Sequence, residues 1–418
     1  MNLLFIHQNF PGQFRHLAPA MAREGKHRVL ALHLNDTPSL PGVENVRYKI
    51  NRGTTKGIHP WVAELETKVI RGEAAANAAR ALKQSGFTPD AIIAHPGWGE
   101  SLFVKHVWPN AKLGVYAEFF YLTEGADVNF DPEFPSDGDD VASRLLIKNA
   151  FYSLQLPQAD AGLAPTDWQR STFPEPFRSK ISVIHDGIDT NNVKPNPDVG
   201  LKLQIADGNY ISLRRDDEVI TFVNRNLEPY RGYHIFMRAL KKILAARPNA
   251  HVLIVGGNEV SYGSKPTPSQ AGNSGTKGWQ EIFLKEVAGE IDMKRVHFLG
   301  LLPYAQYLGL LQISTVHVYL TYPFVLSWSL LEAMSVGCAI VASDTAPVRE
   351  VIKDGKTGRM VNFFDVNALA DNVIELCCKP SLRAKMGKAA RASIIKQYDL
   401  KTICLPAQIK WVESLITS

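Results

Sequence analysis

Short apolar runs alternate along this chain with stretches whose apolar residues recur every three or four positions, a pattern that predicts an α/β fold with mostly parallel sheets. In the first half the apolar runs predict strands near Leu3–His7, Arg28–Leu34, Ala91–Ala94, Leu113–Ala117, Ala161–Ala164 and Ser182–Ile184. The amphipathic stretches predict helices over Phe14–Glu24, Trp61–Gln84, Val141–Leu154 and Asp167–Thr172. The second half repeats the alternation, with strands near Val219–Val223, His251–Val255, Val296–Phe298, Val316–Tyr319 and Ala339–Ala342. Its helices are expected over Tyr233–Ala246, Gln280–Glu290, Tyr304–Leu311, Ser329–Val336, Val366–Cys378 and Ser381–Gln397, and Leu400–Ile416 also has helical character. Between the halves, Asp186–Asp189 through Lys194–Pro197 is rich in Gly, Pro, Asn and Asp, the composition of a linker. The expected domains are therefore 1–188 and 189–399. Asn258–Gly278 is a polar, Gly/Pro/Ser-rich insertion directly after a strand, of the kind that is often mobile and lies over an active site.

Composition narrows the class. A chain of 418 residues exceeds one comfortable core, and 45% apolar with 21% charged residues is ordinary globular usage. No run approaches a membrane span, and Leu3–Ile6 is too short for a signal peptide and has no basic residue before it. The four cysteines, Cys338, Cys377, Cys378 and Cys404, form no C-x-x-C pair, which points away from zinc and disulfides and toward a reducing cytoplasm. A net charge of +5 without a Lys/Arg block excludes a nucleic-acid binder, while leaving room for peripheral contact with anionic lipid at the inner face of the plasma membrane.

In open α/β sheets, ligands bind at the carboxyl ends of strands. With two such domains, the expected site is the cleft between them. Ser327 and Ser329 are candidate N-caps for the helix that follows, so the backbone of Leu326, Ser327, Trp328 and Ser329 would offer N–H groups to phosphate or sugar oxygens. Glu332 is one acid on an otherwise apolar helix. A buried carboxylate needs hydrogen-bond donors, and two vicinal ribose hydroxyls would serve; a helix-surface glutamate is the plainer reading. Gly12, in His7–Phe14, follows the first strand and would let backbone approach a ligand, or simply make a turn with Pro11. Arg225 and Arg231 follow the strand ending at Val223. His95 and Glu118 lie just past two first-half strands, where His95 could orient an acceptor or polarise its hydroxyl. Trp98, Phe119, Phe120 and Tyr121 offer faces for sugar stacking or for the core. Asp137-Gly138-Asp139-Asp140 invites a metal reading, but it directly precedes a helix and capping accounts for it. No G-x-S-x-G elbow is present to hold a nucleophilic serine.

The segment Leu320–Met360, LTYPFVLSWSLLEAMSVGCAIVASDTAPVREVIKDGKTGRM, resembles the donor-binding segment of the family-4 glycosyltransferases, whose two-Rossmann-domain architecture is called GT-B. The family pattern E-G-F-G-x-x-x-x-E has its second acid at Glu332, while Phe324 stands in place of the first, and Val325 and Ser327 replace the two glycines. Ala342-Ser343-Asp344 and Asp354–Gly358 match further pieces, and Asn224–Gly232 matches G-R-L-x-x-x-K-G with Arg231 for Lys. With MNLLFIHQNFPGQFRHLAPA and VIHDGID, the likeness is to bacterial exopolysaccharide sugar transferases, nearest to the cyanobacterial heterocyst-envelope-polysaccharide glucosyltransferases.

The resemblance implies a retaining transfer from a nucleotide sugar, UDP-glucose ahead of GDP-mannose, to a saccharide or lipid-linked acceptor, without a required metal or cofactor. It implies Glu332 on the ribose, Arg225 and Arg231 on the diphosphate, and Gly12 near the donor phosphate or the acceptor. Glu118 falls near where relatives carry a histidine beside the donor sugar, and 400–418 would cross back onto the first domain. An epimerase or hydrolase on the same fold, and a non-catalytic nucleotide binder, are the alternatives.

Overall fold

The computed structural model describes residues 1–136, 138, 140–205, 208–271 and 278–417. The chain divides into two compact units, one of 1–128, 135–187 and 400–418, the other of 129–134 and 188–399. Asp137 and Asp139 of the acidic loop lie outside the described residues. Asp140 occupies the N-cap position of the helix Val141–Gln155, but its side chain makes no capping hydrogen bond.

The first unit is built on a seven-stranded sheet of order β3-β2-β1-β4-β5-β6-β7. Its strands are β1 (Asn2–Ile6), β2 (Arg28–His33), β3 (Val43–Arg47), β4 (Ala91–Ala94), β5 (Lys112–Tyr116), β6 (Ala161–Ala164) and β7 (Ile181–Val183), all paired in parallel. Successive side chains of a strand point to opposite faces, and both faces of β1 are covered. Leu4 and Ile6 enter one core with Ala75, Ala79 and Phe151, while Leu3 and Phe5 enter another with Phe14, Leu17 and Trp411. That requirement explains the near-continuous apolar run at the start of the chain.

The helix Leu405–Thr417 packs on β5 because Gly114 has no side chain there: a Cβ would meet Trp411 at 2.6 Å and Leu415 at 2.7 Å. The helix expected over Phe14–Glu24 is instead a 3₁₀ turn, Gly12–Phe14, followed by an α-helix at Leu17–Ala22. This start puts Pro19 in the first turn, where its missing N–H is no loss.

The second unit holds a six-stranded parallel sheet, order β12-β11-β10-β13-β14-β15, and a separate antiparallel pair. The pair is β8 (Gly200–Gln204) with β9 (Tyr210–Arg214). The sheet contains β10 (Val219–Asn226), β11 (His251–Gly257), β12 (Val296–Phe298), β13 (Val316–Tyr319), β14 (Ile340–Ser343) and β15 (Arg359–Val361). Val252 and Ile254 of β11 face one core with Phe236 and Leu240, and Leu253 and Val255 face the other with Leu330 and Met334. Helices therefore cover both faces of this sheet too, the doubly wound arrangement. No described helix is long and apolar enough to cross a membrane.

Candidate active site

Each sheet reverses strand order once, between β1 and β4 in the first unit and between β10 and β13 in the second. Carboxyl ends at such a switch point leave a crevice that no crossover fills. His7 and His95 follow β1 and β4; Arg225 and Arg231 end or follow β10, and Thr321–Ser329 follow β13.

In the second unit, β10 shifts register between Val223 and Asn226, and Arg225 is exposed there, with no hydrogen bond to its guanidinium among the described residues. The chain then makes the turn Pro229–Arg231 and enters the helix Tyr233–Ala246 through Gly232 at φ +68°, where a Cβ would also strike the Leu320 side chain. Glycine is required on both counts. Arg231 is only 6% exposed; its Nη1 donates to Thr321 Oγ1 at 2.7 Å and to the Val325 carbonyl at 3.3 Å. The Tyr262 ring lies 4.9 Å from its guanidinium carbon. Burial opposes the charge of Arg231, yet its neighbours, Tyr319, Tyr262 and Glu228, raise its pKa above the ordinary arginine value.

Helix Trp328–Ser335 is capped by Ser327, whose hydroxyl accepts from Ser329 N at 3.3 Å. The N–H of Ser327 donates to the Tyr319 hydroxyl at 3.0 Å, so two of the amides expected to face phosphate already serve the loop itself. Leu326 is a core side chain. Glu332 receives the Tyr304 hydroxyl on Oε1 at 2.7 Å and the Tyr307 hydroxyl on Oε2 at 2.6 Å. Phe324 is 5% exposed, with the Tyr262 ring 5.0 Å away edge-on and the Tyr230 ring 5.8 Å away.

In the first unit three groups converge on Glu118. His7 Nδ1 accepts the Asn9 N–H at 3.0 Å, so its Nε2–H donates to Gln13 Oε1 at 2.8 Å. Gln13 Nε2 in turn donates to Glu118 Oε1 at 3.2 Å. His95 Nδ1 likewise accepts from Gly97 N at 3.2 Å, which leaves Nε2 carrying the proton 3.5 Å from Glu118 Oε2. Burial drives the His7 pKa down to about 3, keeping the ring neutral. Burial pushes the Glu118 pKa up, but hydrogen bonds from His95 and Gln13 and the nearby His7 outweigh it and leave the carboxyl below its ordinary value. The Glu118 side chain is 38% exposed, so this carboxylate is braced and accessible. Gly12, at φ +45°, owes its lack of a side chain to the His7 ring, which fills the space a Cβ would take. Trp98 packs on both histidines, with ring centroids 4.5 Å from His95 and 4.8 Å from His7; Phe119 is core.

Asp131, Glu133 and His234 approach one another closely enough to share a cation. Their oxygens are committed to protein, however: Arg238 takes both Glu133 oxygens at 2.7 Å, and Asp131 Oδ2 receives Tyr322 at 2.7 Å and faces His234 Nε2 at 3.0 Å. A cavity of about 160 Å³ opens elsewhere, at the amino ends of β13 and β14, lined by Arg215, Ser314, Thr315 and Arg383. Arg383 there caps the carbonyls of Leu376 and Cys377.

Sequence reasoning did not single out His7, Gln13, Glu228, Tyr262, Tyr304 or Tyr307. His7 and Gln13 carried a local signal, their place in the segment His7–Phe14 after the first strand; Glu228, Tyr262, Tyr304 and Tyr307 act through partners remote in sequence.

Residues 25–193 match the model of the glycosyl transferase family 4 group, and 210–393 that of the glycosyl transferases group 1. The phosphatidyl-myo-inositol mannosyltransferase of Mycolicibacterium smegmatis is 28% identical over 58% of this chain and 54% of its own length. The D-inositol 3-phosphate glycosyltransferase of Streptomyces avermitilis is 24% identical over 52% of this chain and 43% of its own. The chain thus spans about half the length of the curated relatives it matches. Among solved structures, Anabaena HepE in complex with UDP superposes with a TM-score of 0.66 at 16% identity, covering 99% of this chain and 100% of that one. The sucrose-phosphate synthase of Thermosynechococcus elongatus gives 0.70 at 18% identity over 100% of both chains. The chain thus carries a glycosyl transferase family 4 domain over 25–193 followed by a glycosyl transferases group 1 domain over 210–393, in a fold of the GT-B type.

Proposed function

We propose that this protein is a retaining hexosyltransferase that moves glucose from UDP-glucose onto a saccharide or lipid-linked saccharide in polysaccharide biosynthesis. The observation that supports the reading is that Arg225 and Arg231 end or follow β10, and the helix bearing Glu332 follows β13, the two strands that flank the switch point. The unit around 189–399 holds the donor, and 1–188 with 400–418 serves the acceptor. Glu332 takes the ribose hydroxyls. Arg225, with an exposed guanidinium, and Arg231 take the diphosphate, whose charge grows as the bond from sugar C1 to the phosphate oxygen breaks. The acceptor hydroxyl forms the new C1–O bond on the face the diphosphate leaves, and the departing phosphate oxygen takes the hydroxyl proton. Glu118 accepts from a sugar hydroxyl and His95 orients the acceptor. The work falls in the cytoplasm, at the inner face of the membrane when the acceptor is lipid-linked. No metal or cofactor takes part in these steps.

Glucose is favoured because the HepE structures of matching fold hold UDP and UDP-glucose. A second reading, GDP-mannose-dependent mannosyl transfer, is favoured by a Mycolicibacterium smegmatis relative of that description, 25% identical over 58% of this chain. Incubation with UDP-glucose and, separately, GDP-mannose, following nucleotide and free sugar, tests both. Turnover of UDP-glucose alone supports the first and of GDP-mannose alone the second. Free sugar without an acceptor would mark a hydrolase, binding without turnover across an acceptor panel a nucleotide binder, and an inverted product would exclude the front-face route.

A further inference from the structure

Glu228 is fully buried in front of the turn that carries Arg231, and its carboxylate does not pair with that arginine by a direct ion pair. It accepts three backbone amides instead: Ser261 N on Oε1 at 3.1 Å, and Tyr262 N at 3.3 Å and Gly263 N at 3.1 Å on Oε2. A carboxylate that accepts successive N–H groups fixes the path of the backbone, and charge-assisted bonds of this kind are the strong ones. A second tether follows at once, where Trp279 Nε1 donates to the Ser264 carbonyl at 2.9 Å. The start of the polar insertion, which its composition would make a loose lid, is therefore fastened at 261–264.

What this fastening positions is the Tyr262 ring. It lies against the Arg231 guanidinium at 4.9 Å and is backed edge-on by Phe324 at 5.0 Å. Arg231 is thus held by Thr321 and Val325 through Nη1 and by an aromatic face, an arrangement that orients a cation without neutralising it. Phe324 completes it: an acid at that position would place a competing negative charge beside the Tyr262 ring and Arg231, whereas the phenyl ring adds only an apolar wall.

We infer that Glu228 and Tyr262 form a brace for Arg231, a fixed roof built by residues 261–264, which holds the guanidinium ready for the diphosphate of the donor. Tyr262 is a positioning residue: its ring lies against the guanidinium, and its hydroxyl oxygen also interacts with Arg231. The inference rests on the reading of Arg231 as a diphosphate ligand.

Calorimetric titration with UDP and with uridine separates the two. Arg231→Ala is expected to weaken UDP at least tenfold and to leave uridine unchanged; an unchanged UDP affinity overturns the diphosphate reading itself. Tyr262→Ala, at a residue 38% exposed and so removable without opening the core, is expected to weaken UDP about fivefold, with uridine unaffected. Tyr262→Phe, which keeps the ring and loses only the hydroxyl's contact with Arg231, should recover most of the wild-type value. If Arg231→Ala weakens UDP while Tyr262→Ala does not, or if Phe fails to rescue, the brace is wrong and the reading of Arg231 survives. Glu228→Gln is read by hydrogen exchange: the amides of 261–263 should exchange at least tenfold faster, and unchanged protection there would also overturn the brace.

Discussion

Tyr307 donates its phenol hydroxyl to Oε2 of Glu332 at 2.6 Å, and the pair ties the helix Tyr304–Ile313 to the helix Trp328–Ser335. With Tyr304 on the other oxygen, the carboxylate is fixed in one orientation before any nucleotide arrives. Each carboxylate oxygen has two lone-pair directions, so a ribose diol would add to a carboxylate already aimed. Glu332→Gln is expected to weaken UDP by about 1–3 kcal/mol and to narrow the preference for UDP over 2′-deoxy-UDP. Paired titrations of the two nucleotides check this, and an unchanged preference would remove Glu332 from ribose recognition.

Replacing Arg231 by Ala should lower kcat/KM by about 2–4 kcal/mol in transition-state terms, the range seen when a single donor to a developing oxyanion is lost. Arg231→Lys should recover part of this, since a point charge remains but the planar fork does not. Steady-state kinetics with the active donor decide it.

Gln13 links the neutral His7 to Glu118, so its removal acts on the acid. Gln13→Leu deletes one donor to the carboxylate and should raise the Glu118 pKa. The acid limb of the kcat/KM profile then moves to higher pH, whereas Glu118→Gln should abolish the limb. A limb that stays in place in Gln13→Leu would separate Glu118 from the rate.

Phe324 stands where family members carry an acid, and restoring that acid should fail. Its ring packs among Tyr230 and Tyr262, and deleting such a ring costs about 3–5 kcal/mol before any charge is buried. Phe324→Glu should therefore unfold at clearly lower urea than the wild type and show no faster turnover.

Acid should weaken the fold through histidines. Burial lowers the pKa of His7 to about 3 and those of His185 and His317 to about 4. In the unfolded chain each takes a proton near pH 6.5, whereas the native state refuses it. Stability is thus fully present above pH 6.5 and lost as pH falls toward 4, by roughly 3 kcal/mol per group. Melting temperatures recorded across this range should fall steadily, and His317→Gln should flatten the curve.

Much of this was legible in the apolar pattern. β4, β6, β12 and β13 occupy the residues their apolar runs mark, because strands buried on both faces cannot hide their composition. β3, with the sequence VENVR and one buried side chain, carries too little apolar signal, and the β8–β9 pair is mostly exposed. For the site, the residues at strand ends were visible because their position follows from topology. Glu228 was not: an acid before a proline gives no hint that its partners are amides more than 30 residues later. Nor does Phe324 announce an aromatic cluster gathered from residues 230 and 262.

Gly114 is bare so that Trp411 and Leu415 can lie on it. The residues that cover this face of β5 are translated only after the whole of 188–399, so a ribosome-bound chain carries its first sheet half-clothed while the second unit is being made. Closure of the apolar face around Gly114 by the helix Leu405–Thr417 is then a late, order-imposed step in biogenesis.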